Sequence, residues 1–409
     1  MNSRLTTPEQ GLIGLPGVND GDAISVVNTV LIVTVVVTAL AFDFTNGFHD
    51  TANAMATSIA TGALKPKVAV AIAAVLNLVG AFLSISVAAT IASGIVNAQI
   101  VTPAIVFAGL VGAICWNLVT WLFGLPSSSS HALIGGVVGA TLVAAGTGAV
   151  KFDGIISKVL VPAVISPILA GVVALLATAL AYKLTQRVNQ DASSRSFKRG
   201  QIASASLVSL AHGTNDAQKT MGVITLALIS GHFLPAGAKP PVWVIIAAGT
   251  AIAAGTYIGG WRVIRTLGKG LTDISPTQGF AAETAASAVI LAGTHFGFPL
   301  STTHVCSGGI LGSGLGRKLA EVRWGLAGRM ITAWVITLPS AAVVGAVVTF
   351  AAEKIGGGVG VLIMALIAAI FAGYVFYRAR QNPVNANNVN DPMAGGIPAP
   401  APVHAGAAA

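Results

Sequence analysis

The stretch GLPSSSSHALIGGVVG, residues 124–139, has a second copy in the same chain, GFPLSTTHVCSGGILG, residues 297–312. The copies keep a proline, a serine, a histidine and a glycine pair in register: Pro126 with Pro299, Ser128 with Ser301, His131 with His304, and Gly135–Gly136 with Gly308–Gly309. This agreement indicates an internal duplication, and the remaining sequence can be aligned outward from it.

A second pair of motifs repeats in the same order. GFHDTANAMA (47–56) aligns with GTNDAQKTMG (213–222), which superposes Asp50 on Asp216. The aspartates are 166 residues apart (216 minus 50) and the histidines of the first pair 173 (304 minus 131), so one half has about seven extra residues between its motifs. A weaker match relates ISPILAGVVALLA near residue 165 to TLPSAAVVGAVVT near residue 337. The chain therefore consists of two related halves.

The composition places most of the protein in a lipid environment. Of 409 residues, 54% are hydrophobic and 9% are charged, and the mean hydropathy is +0.82. Soluble domains carry roughly a quarter charged residues, so a soluble protein is excluded. The net charge of +9 comes from Lys and Arg in short connections. It indicates membrane orientation, and we expect no nucleic-acid partner.

Apolar stretches near the membrane-spanning length of about 20 residues recur along the chain. We place them at about 25–45, 67–92, 103–123, 131–149 and 155–183, and then at about 203–230, 241–260, 279–297, 304–316, 326–350 and 357–377. Five crossings in the first half would make the second half enter the membrane from the opposite side. We therefore predict an all-α polytopic membrane protein of about 10–12 transmembrane segments, an inverted-repeat secondary transporter with broken or re-entrant helices.

The domain boundaries follow from the composition. We expect a polar lead (1–24), a first transmembrane repeat (25–183), a basic linker (184–200), a second repeat (201–350), an extra C-terminal helix (351–380) and a disordered tail (381–409). Because Lys and Arg dominate the linker, the positive-inside rule predicts that it is cytoplasmic.

The first motif pair predicts two helices that begin inside the membrane. Proline followed by hydroxyl residues suits a helix start, where Ser and Thr cap exposed amides. Two such starts facing one another would bind a tetrahedral oxyanion through backbone N–H groups and hydroxyls. The candidate anion ligands are Ser128, Ser129, Ser130, Ser301, Thr302 and Thr303. In the alternative, the hydroxyls only join helices and His131 and His304 are interior histidines with satisfied hydrogen bonds.

The second pair predicts a cation site close to the anion. A carboxylate inside a membrane costs about 2.5–3.5 kcal/mol on insertion scales, which favours a function for Asp50 and Asp216. Together with Asn53 and Asn215, these aspartates offer hard oxygen ligands for a monovalent cation or a metal, or carboxylates that take up a proton. The alternative is that each aspartate caps a helix end. Cation-coupled uptake of an anion is the expected function.

Four further ionisable residues are candidates for the same process. Glu283 lies in an apolar run, where it either carries a proton or pairs with a neighbouring His or Lys. Lys219 either balances Asp216 and reaches the anion, or extends toward the interface from a helix end. His49 and His212 are candidates for proton coupling, because histidine titrates near neutral pH.

The four motifs NGFHDTANAMAT, AHGTNDAQKTMG, LPSSSSHALIGG and FPLSTTHVCSGG resemble the signatures of the inorganic phosphate transporter family called PiT, over about residues 25–378. The resemblance implies a secondary carrier with phosphate held between paired helix starts and with cations held by Asp50, Asn53, Asn215 and Asp216. It also implies a multi-pass protein of the cell (inner) membrane that binds phosphate and a coupling cation and has no resident cofactor. A homo-oligomer is compatible with it.

One residue departs from the usual family pattern. Asn precedes the aspartate in the second copy, as in the family, but His49 precedes it in the first. This form resembles the bacterial, low-affinity branch, in which protons drive uptake and phosphate enters as a metal–phosphate complex. We expect protons rather than sodium as the coupling ion, with Asp50 and Asp216 as candidate ligands of a divalent metal.

Other functions remain as alternatives. The family also contains sulfate carriers, and a site that accepts a hydrogen bond from a phosphate OH would distinguish the two anions. A membrane-embedded hydrolase could use Ser129 or Ser130 with His131. Neighbours in sequence do not face each other on a helix, however, and an enzyme would not need both copies. A channel is disfavoured because the motifs predict an occluded site. We therefore expect a carrier and not an enzyme.

Overall fold

The computed structural model describes residues 20–317 and 322–391, and of residues 20–27 only the backbone. Within these ranges the chain is helical except for turns and one isolated β-bridge, Val96 with Val150. The helices are α1 (Asp20–Ala60), α2 (Pro66–Gly80), α3 (Ser86–Gly94), α4 (Pro103–Leu122), α5 (Ser129–Ala145), α6 (Phe152–Ile155), α7 (Val161–Thr185), α8 (Gln190–Ser230), α9 (Val242–Ile258), α10 (Trp261–Arg265), α11 (Pro276–His295), α12 (Thr302–Leu315), α13 (Trp324–Ile355) and α14 (Gly357–Gln381). Two π-helical turns, Ile156–Leu160 and Thr266–Gly270, connect α6 to α7 and extend α10. The predicted all-α fold is confirmed.

The two repeats interdigitate instead of packing side by side. Helix α1 of the first repeat packs on α9 of the second, and α8, its counterpart, packs on α2. In the same way α5 packs on α13, and α12 packs on α7. Each contact between the repeats therefore occurs twice, the second time with the roles of the two repeats exchanged, as a pseudo-twofold axis requires.

Glycines in the first motif pair allow these helices to cross closely. A Cβ added to Gly139 in α5 would overlap the carbonyl oxygen of Ala342 in α13, and one added to Gly312 in α12 would overlap that of Gly171 in α7. Membrane helices pack through small residues because lipid provides little hydrophobic drive between them. The repeated glycines thus bring the two half-helices into contact with the opposite repeat.

Both repeats contain a broken helix at the predicted position. Helix α4 ends at Leu122 and α11 at His295, and each is followed by a glycine with positive φ: Gly124 at 65° and Gly297 at 72°. Glycine adopts this conformation without the steric cost that a Cβ adds. The helices that follow, α5 and α12, have 17 and 14 residues. At 1.5 Å per residue they reach about 26 and 21 Å, short of a hydrocarbon core of about 30 Å.

By length and composition, five helices in the described ranges could cross a membrane, or six if the bent pair α9–α10 counts as one span. They are Asn28–Ala60, Pro103–Leu122, Phe152–Thr185, Trp324–Ile355 and Gly357–Gln381, with Val242–Ile258 plus Trp261–Gly270 as the bent pair. The other segments in the predicted total of about 10–12 correspond to shorter helices, or to α8 and α11, whose polar residues lower the hydropathy.

Helix boundaries differ from the predicted domains. Helix α1 begins at Asp20 inside the expected polar lead, whose residues 1–19 lie outside the described ranges. Helix α8 begins at Gln190, where Asn189 caps it by accepting from Asp191 N at 2.9 Å, so most of the basic linker is helical. Both helices continue through their motifs because the polar residues there meet polar residues of other helices.

The first part of the predicted disordered tail is folded. In the segment 382–391, Val389 is buried and Asn390 Nδ2 donates to Ile59 O at 3.5 Å. Arg262 Nη2 donates to Asn382 O at 2.5 Å, which fixes the start of the segment. This placement differs from the expectation of disorder, because one apolar side chain and hydrogen bonds between side chains and backbone hold the segment. Residues 392–409 lie outside the described ranges.

We predict that Gly139→Ala and Gly312→Ala each destabilise the protein by about 1–3 kcal/mol, because the added methyl group overpacks a helix crossing. Thermal unfolding in detergent, followed by size-exclusion chromatography, measures the loss as a lower midpoint. Gly373→Ala is the matched control, since a Cβ there has open space. A Gly312→Ala midpoint as high as that of the control would contradict the close crossing.

Candidate functional site

The site is built around the two half-helix starts. Ser128 caps α5 by accepting from His131 N at 3.1 Å, and Ser301 caps α12 by accepting from His304 N at 3.2 Å. The repeated prolines lie in the extended break before these caps and not in the first helical turn. Among the six predicted anion ligands, Ser128 and Ser301 thus use their oxygen atoms as caps, and their hydroxyl hydrogens remain available.

The two starts meet across the pseudo-twofold axis. The rings of His131 and His304 are 4.8 Å apart between centroids, and the His304 ring stacks on Trp334 at 4.2 Å. The nearest polar partner of the His304 ring is Ala163 O, 3.4 Å from Nδ1. The contact shows that both half-helices direct their N-termini to one region, as the repeated motifs predict.

Asp50 in α1 joins both starts. Its carboxylate accepts from Ser129 Oγ of α5 at 2.7 Å and from Thr303 Oγ1 of α12 at 3.3 Å. His49 Nδ1 lies 2.7 Å from the same carboxylate. Asp50 is buried, 1% exposed, and does not cap a helix end. Hydroxyls from both repeats therefore donate to one carboxylate.

Asp216 in α8 has a different set of partners. Lys219 Nζ is 2.6 Å from Oδ1, and Oδ2 accepts from Asn46 Nδ2 at 3.2 Å. His212 Nε2 lies 3.4 Å from Oδ2. The Asp216 carboxylate thus lies beside the positive charge of Lys219 on the same helix, whereas the Asp50 carboxylate is paired with His49.

The structure brings the two aspartates together. Ligand atoms of Asp50, Asp216 and His212 all lie within 4.8 Å of one another, and all three residues are buried. Asn77 Nδ2 donates to Thr256 at 2.8 Å, which turns its Oδ1 toward His212 Nδ1 at 3.1 Å. Because an amide oxygen only accepts, His212 Nδ1 carries the proton. A neutral His212 then presents the lone pair of Nε2 to a carboxylate, an arrangement that a cation or a second proton stabilises.

Asn53 and Lys219 occupy equivalent positions, since 219 minus 53 is 166, the offset of the aspartates. Asn53 Nδ2 donates to Thr302 Oγ1 at 3.2 Å and Thr303 Oγ1 at 3.0 Å. Lys219 Nζ donates to Ser130 Oγ at 2.5 Å. Each therefore reaches the half-helix start of the opposite repeat. The alignment contained this correspondence, but the sequence analysis did not use it.

His49 and Asn215 are a second pair of equivalent residues. Each contacts the helix that precedes a half-helix start, α4 before α5 and α11 before α12. His49 Nε2 lies 3.3 Å from Thr120 Oγ1 at the end of α4, and Asn215 Nδ2 donates to Thr294 Oγ1 at 2.8 Å near the end of α11. In the part of the chain that the structure describes, the amide oxygens of Asn53 and Asn215 have no hydrogen-bond partner. These oxygens are oriented as free acceptors.

Glu283 in α11 has its own set of hydrogen-bond donors and shares a small cavity with Asn53. Its carboxylate accepts hydrogen bonds from two α1 residues and two α8 residues: Thr57 at 2.5 Å, Ser58 at 2.7 Å, Gln201 at 3.2 Å and Ser204 at 2.5 Å. A cavity of about 10 Å³ separates Glu283 from Asn53 and is lined also by Thr57 and Cys306. Such a volume holds about one water molecule. The expected alternative of a His or Lys partner is not found among the described residues.

Asp43 is a buried carboxylic acid that the sequence analysis missed. It is fully buried in α1, two helical turns before Asp50. The signal was present, because Asp43 is an acid within the apolar run that we assigned as the first span.

Comparison with known proteins identifies the family of the chain. The model of the family described as "Phosphate transporter family" matches residues 46–195 and 182–345. The chain belongs to this phosphate transporter family. The two matched segments overlap at residues 182–195, which include the end of α7 and the start of α8, where the repeats join.

The matches to curated relatives extend over most of this chain and most of each relative. The chain is 59% identical to a protein of Mycobacterium leprae over 91% of this chain and 90% of the relative. It is 45% identical to a protein of Bacillus subtilis over 78% of this chain and 97% of the relative. Both are named "Probable low-affinity inorganic phosphate transporter". The chain is therefore a transporter and not an enzyme, and a multi-pass protein of the cell membrane.

A solved structure confirms the fold of this family member. The structure described as "The sodium-dependent phosphate transporter" superposes with a TM-score of 0.72 at 24% identity, over 80% of this chain and 100% of the other. At that identity the likeness supports the architecture alone.

We predict that Ser128→Ala and Ser301→Ala each lower the unfolding free energy by about 1 kcal/mol through loss of a helix cap. They should also weaken phosphate binding, because the amides they orient lie at the half-helix starts. Ser206→Ala, a partly buried serine bonded only within its own helix, is the control. Equal phosphate affinity in Ser301→Ala and the control would contradict the role of the half-helix start.

Proposed function

We propose that the protein is a proton-coupled symporter of inorganic phosphate that binds its substrate between the starts of α5 and α12. The observation that carries this proposal is that Ser129 and Thr303, one hydroxyl from each start, both donate to Asp50. An oxyanion between the starts needs the same hydrogen atoms. Substrate and coupling carboxylate therefore compete for the same donors.

The half-helix starts supply the attraction for phosphate. Unpaired amides and the positive end of the helix dipole favour an anion at each N-terminus. Ser129, Ser130, Thr302 and Thr303 add hydroxyl donors from two directions. Lys219, which already contacts Ser130, adds a positive charge next to the site. No arginine is needed for this arrangement.

Competition for donors explains the coupling. Without a bound cation, Asp50 holds Ser129 and Thr303, and a phosphate anion would meet a carboxylate. A proton or cation on Asp50 weakens these hydrogen bonds and removes the repulsion, so both hydroxyls can turn to the substrate. Lys219 balances only one of the two aspartates, which leaves one negative charge for the coupling cation.

The histidines favour protons as the coupling ion. His49 is 2.7 Å from Asp50 and His212 is 3.4 Å from Asp216, so each carboxylate lies beside an imidazole that can take up or release a proton. Sodium coupling is the alternative, and the free amide oxygens of Asn53 and Asn215 would suit it. The solved neighbour's description refers to sodium, which is a statement about that protein.

The same residues fit a metal–phosphate complex. Asp50, Asp216 and His212 form a donor set for a divalent cation, with two carboxylates and one imidazole. A divalent ion bound to phosphate would lie against these three groups while the anion contacts the hydroxyls. In this form the metal is transported cargo and not a resident cofactor.

Phosphate is favoured over sulfate by the carboxylates. At neutral pH phosphate retains at least one OH, which can donate to Asp50 or Asp216, whereas sulfate has none. A buried acceptor left without a donor is costly, so such a site discriminates against the analogue that lacks the hydrogen.

The proposed alternative of a Ser/His hydrolase has no support at the motif. In the described ranges Ser129 donates to Asp50 and Ser130 to Leu300 O, and neither pairs with His131. Ser127, His49 and Asp50 do lie in series, with Ser127 Oγ 3.4 Å from His49 Nε2. Ser127 is fully buried, and its hydroxyl is hydrogen-bonded to that of Thr120 at 2.8 Å. We therefore assign this series to the polar groups around Asp50 that serve coupling.

Glu283 provides a further position for the coupling cation. Its four donors stabilise a carboxylate that has no charged partner in the described structure, and the small cavity connects it to Asn53. We propose that the proton or cation passes between Glu283 and Asp50 along this line of polar side chains on α1.

We predict that Asp50→Asn and Asp216→Asn each abolish gradient-driven phosphate uptake in proteoliposomes while the protein remains folded. Loss of either charge removes the cation-dependent release of the hydroxyls. Asp153→Asn, an exposed aspartate in α6, is the matched control. Wild-type uptake with unchanged ion dependence in Asp50→Asn would refute the coupling assignment.

His49→Asn copies the residue of the second repeat, and we predict that it flattens the pH dependence of uptake. Wild-type uptake should rise as the external pH falls through the range of about 8 to 5, since a proton on the His49–Asp50 pair is required. Initial rates measured over this range, with proton and sodium gradients imposed separately and with and without divalent metal, identify the ion. A wild type driven by sodium alone would overturn proton coupling.

A further inference from the structure

We propose that Asp43, Asn46 and Thr220 form an additional binding site for one monovalent cation, separate from the Asp50–Asp216 pair. This inference rests on the proposed cation-coupled transport and adds a second cation position to it. The site takes a single positive charge, supplied by a sodium ion or by a proton on the carboxylate.

The buried negative charge of Asp43 requires a positive charge or a proton to neutralise it. The residue is 0% exposed, in the middle of helix α1. Its polar neighbours are Thr220 of α8 and Asn46 one turn further along α1, and the charges of Asp216 and Lys219 act on it from further away. Lys219 is committed to Asp216 and Ser130 at 2.6 and 2.5 Å. Asp43 therefore has no positive partner of its own among the described residues.

The oxygen atoms of these three side chains are not held in hydrogen bonds of normal geometry. Thr220 and Asn46 lie close enough to act on the Asp43 carboxylate, but in the described structure neither carboxylate oxygen accepts a hydrogen bond of normal geometry, and Asn46 Oδ1 and Thr220 Oγ1 also have no such partner. Buried polar atoms are nearly always paired, so an unpaired group of this size requires an explanation. Carboxylate, amide and hydroxyl oxygens are hard ligands suited to a small cation.

The charge of the group fits one monovalent ion. One carboxylate and two neutral oxygen ligands sum to a single negative charge, which one proton or sodium ion neutralises. A divalent ion would leave an excess charge in a buried position, which is costly. Asn46 also donates to Asp216 Oδ2 at 3.2 Å, so the new site and the proposed coupling pair share a side chain. A cation at one site therefore affects the other.

The site exists in one repeat only. At the offset of 166 residues, the counterpart of Asp43 is Ser209, whose hydroxyl is bonded to Ala205 O at 2.9 Å within its own helix. The pseudo-twofold arrangement of the motifs therefore does not require Asp43. An acid present in one copy alone gives the transport cycle an extra charge-binding step without a symmetric equivalent.

The test is a count of cations on purified, full-length protein in detergent without phosphate. Equilibrium dialysis with radioactive sodium counts bound sodium, and titration of the folded protein from about pH 7 upward counts the protons still bound at neutral pH, which an ordinary carboxyl group has already released. We expect Asp43→Asn and Asp43→Ser to bind one monovalent cation fewer than wild type, in whichever assay detects it. Thr220→Val, which keeps shape and charge, should weaken that cation's affinity several-fold. Ser209→Ala should leave the count unchanged.

Transport in vesicles gives the second readout. The ion gradient that halts net phosphate flux should correspond to one cation fewer per phosphate in Asp43→Ser than in wild type. An unchanged cation count in Asp43→Asn, or an unchanged affinity in Thr220→Val, overturns the site. If the wild type shows no cation-coupled uptake, the proposed function fails, while the count on purified protein still decides whether Asp43 binds a cation.

Discussion

The hydrogen bonds from Ser129 and Thr303 to the Asp50 carboxylate are the interactions on which the other features depend. They place a negative charge at the point where two helix N-termini attract an anion. Without a cation, the Asp50 carboxylate would repel an anion bound between the helix starts and would occupy the hydroxyl donors that the anion needs. In the mechanism we propose, a positive charge at Asp50 changes which groups the two hydroxyls can bind, and this change is the coupling.

The fold supplies this contact through interdigitation of the repeats. Asp50 lies on a helix of the first repeat, and Thr303 starts a half-helix of the second. Close glycine crossings such as Gly312 with Gly171 bring α12 against α7 of the first repeat. The two copies have also diverged. Lys219 stands where Asn53 stands in the other repeat, and Asp43 where the other has Ser209, so the two copies of the site differ in charge.

Much of this organisation could be predicted from the sequence, because it is encoded in local patterns. Proline followed by Ser or Thr and then His predicts a helix start wherever it lies, and the offset between copies identifies counterparts. The distance between Asp50 and Asp216 could not be predicted, since it depends on how distant helices cross. The same holds for Asn53 and Lys219 reaching the opposite repeat. Asp43 could have been found from burial cost alone. The folded segment around Val389 could not, because one buried side chain gives no sequence pattern.

Reciprocity between the two ligands tests the central claim most directly. If Asp50 releases hydroxyls when a cation binds, phosphate and cation must each raise the affinity for the other by the same factor. Calorimetric titration of phosphate into purified protein, at several pH values and sodium concentrations, measures this factor. Our account predicts that phosphate affinity rises with the concentration of the coupling ion, and that Asp50→Asn removes the dependence. A wild-type affinity for phosphate independent of both protons and sodium would contradict it.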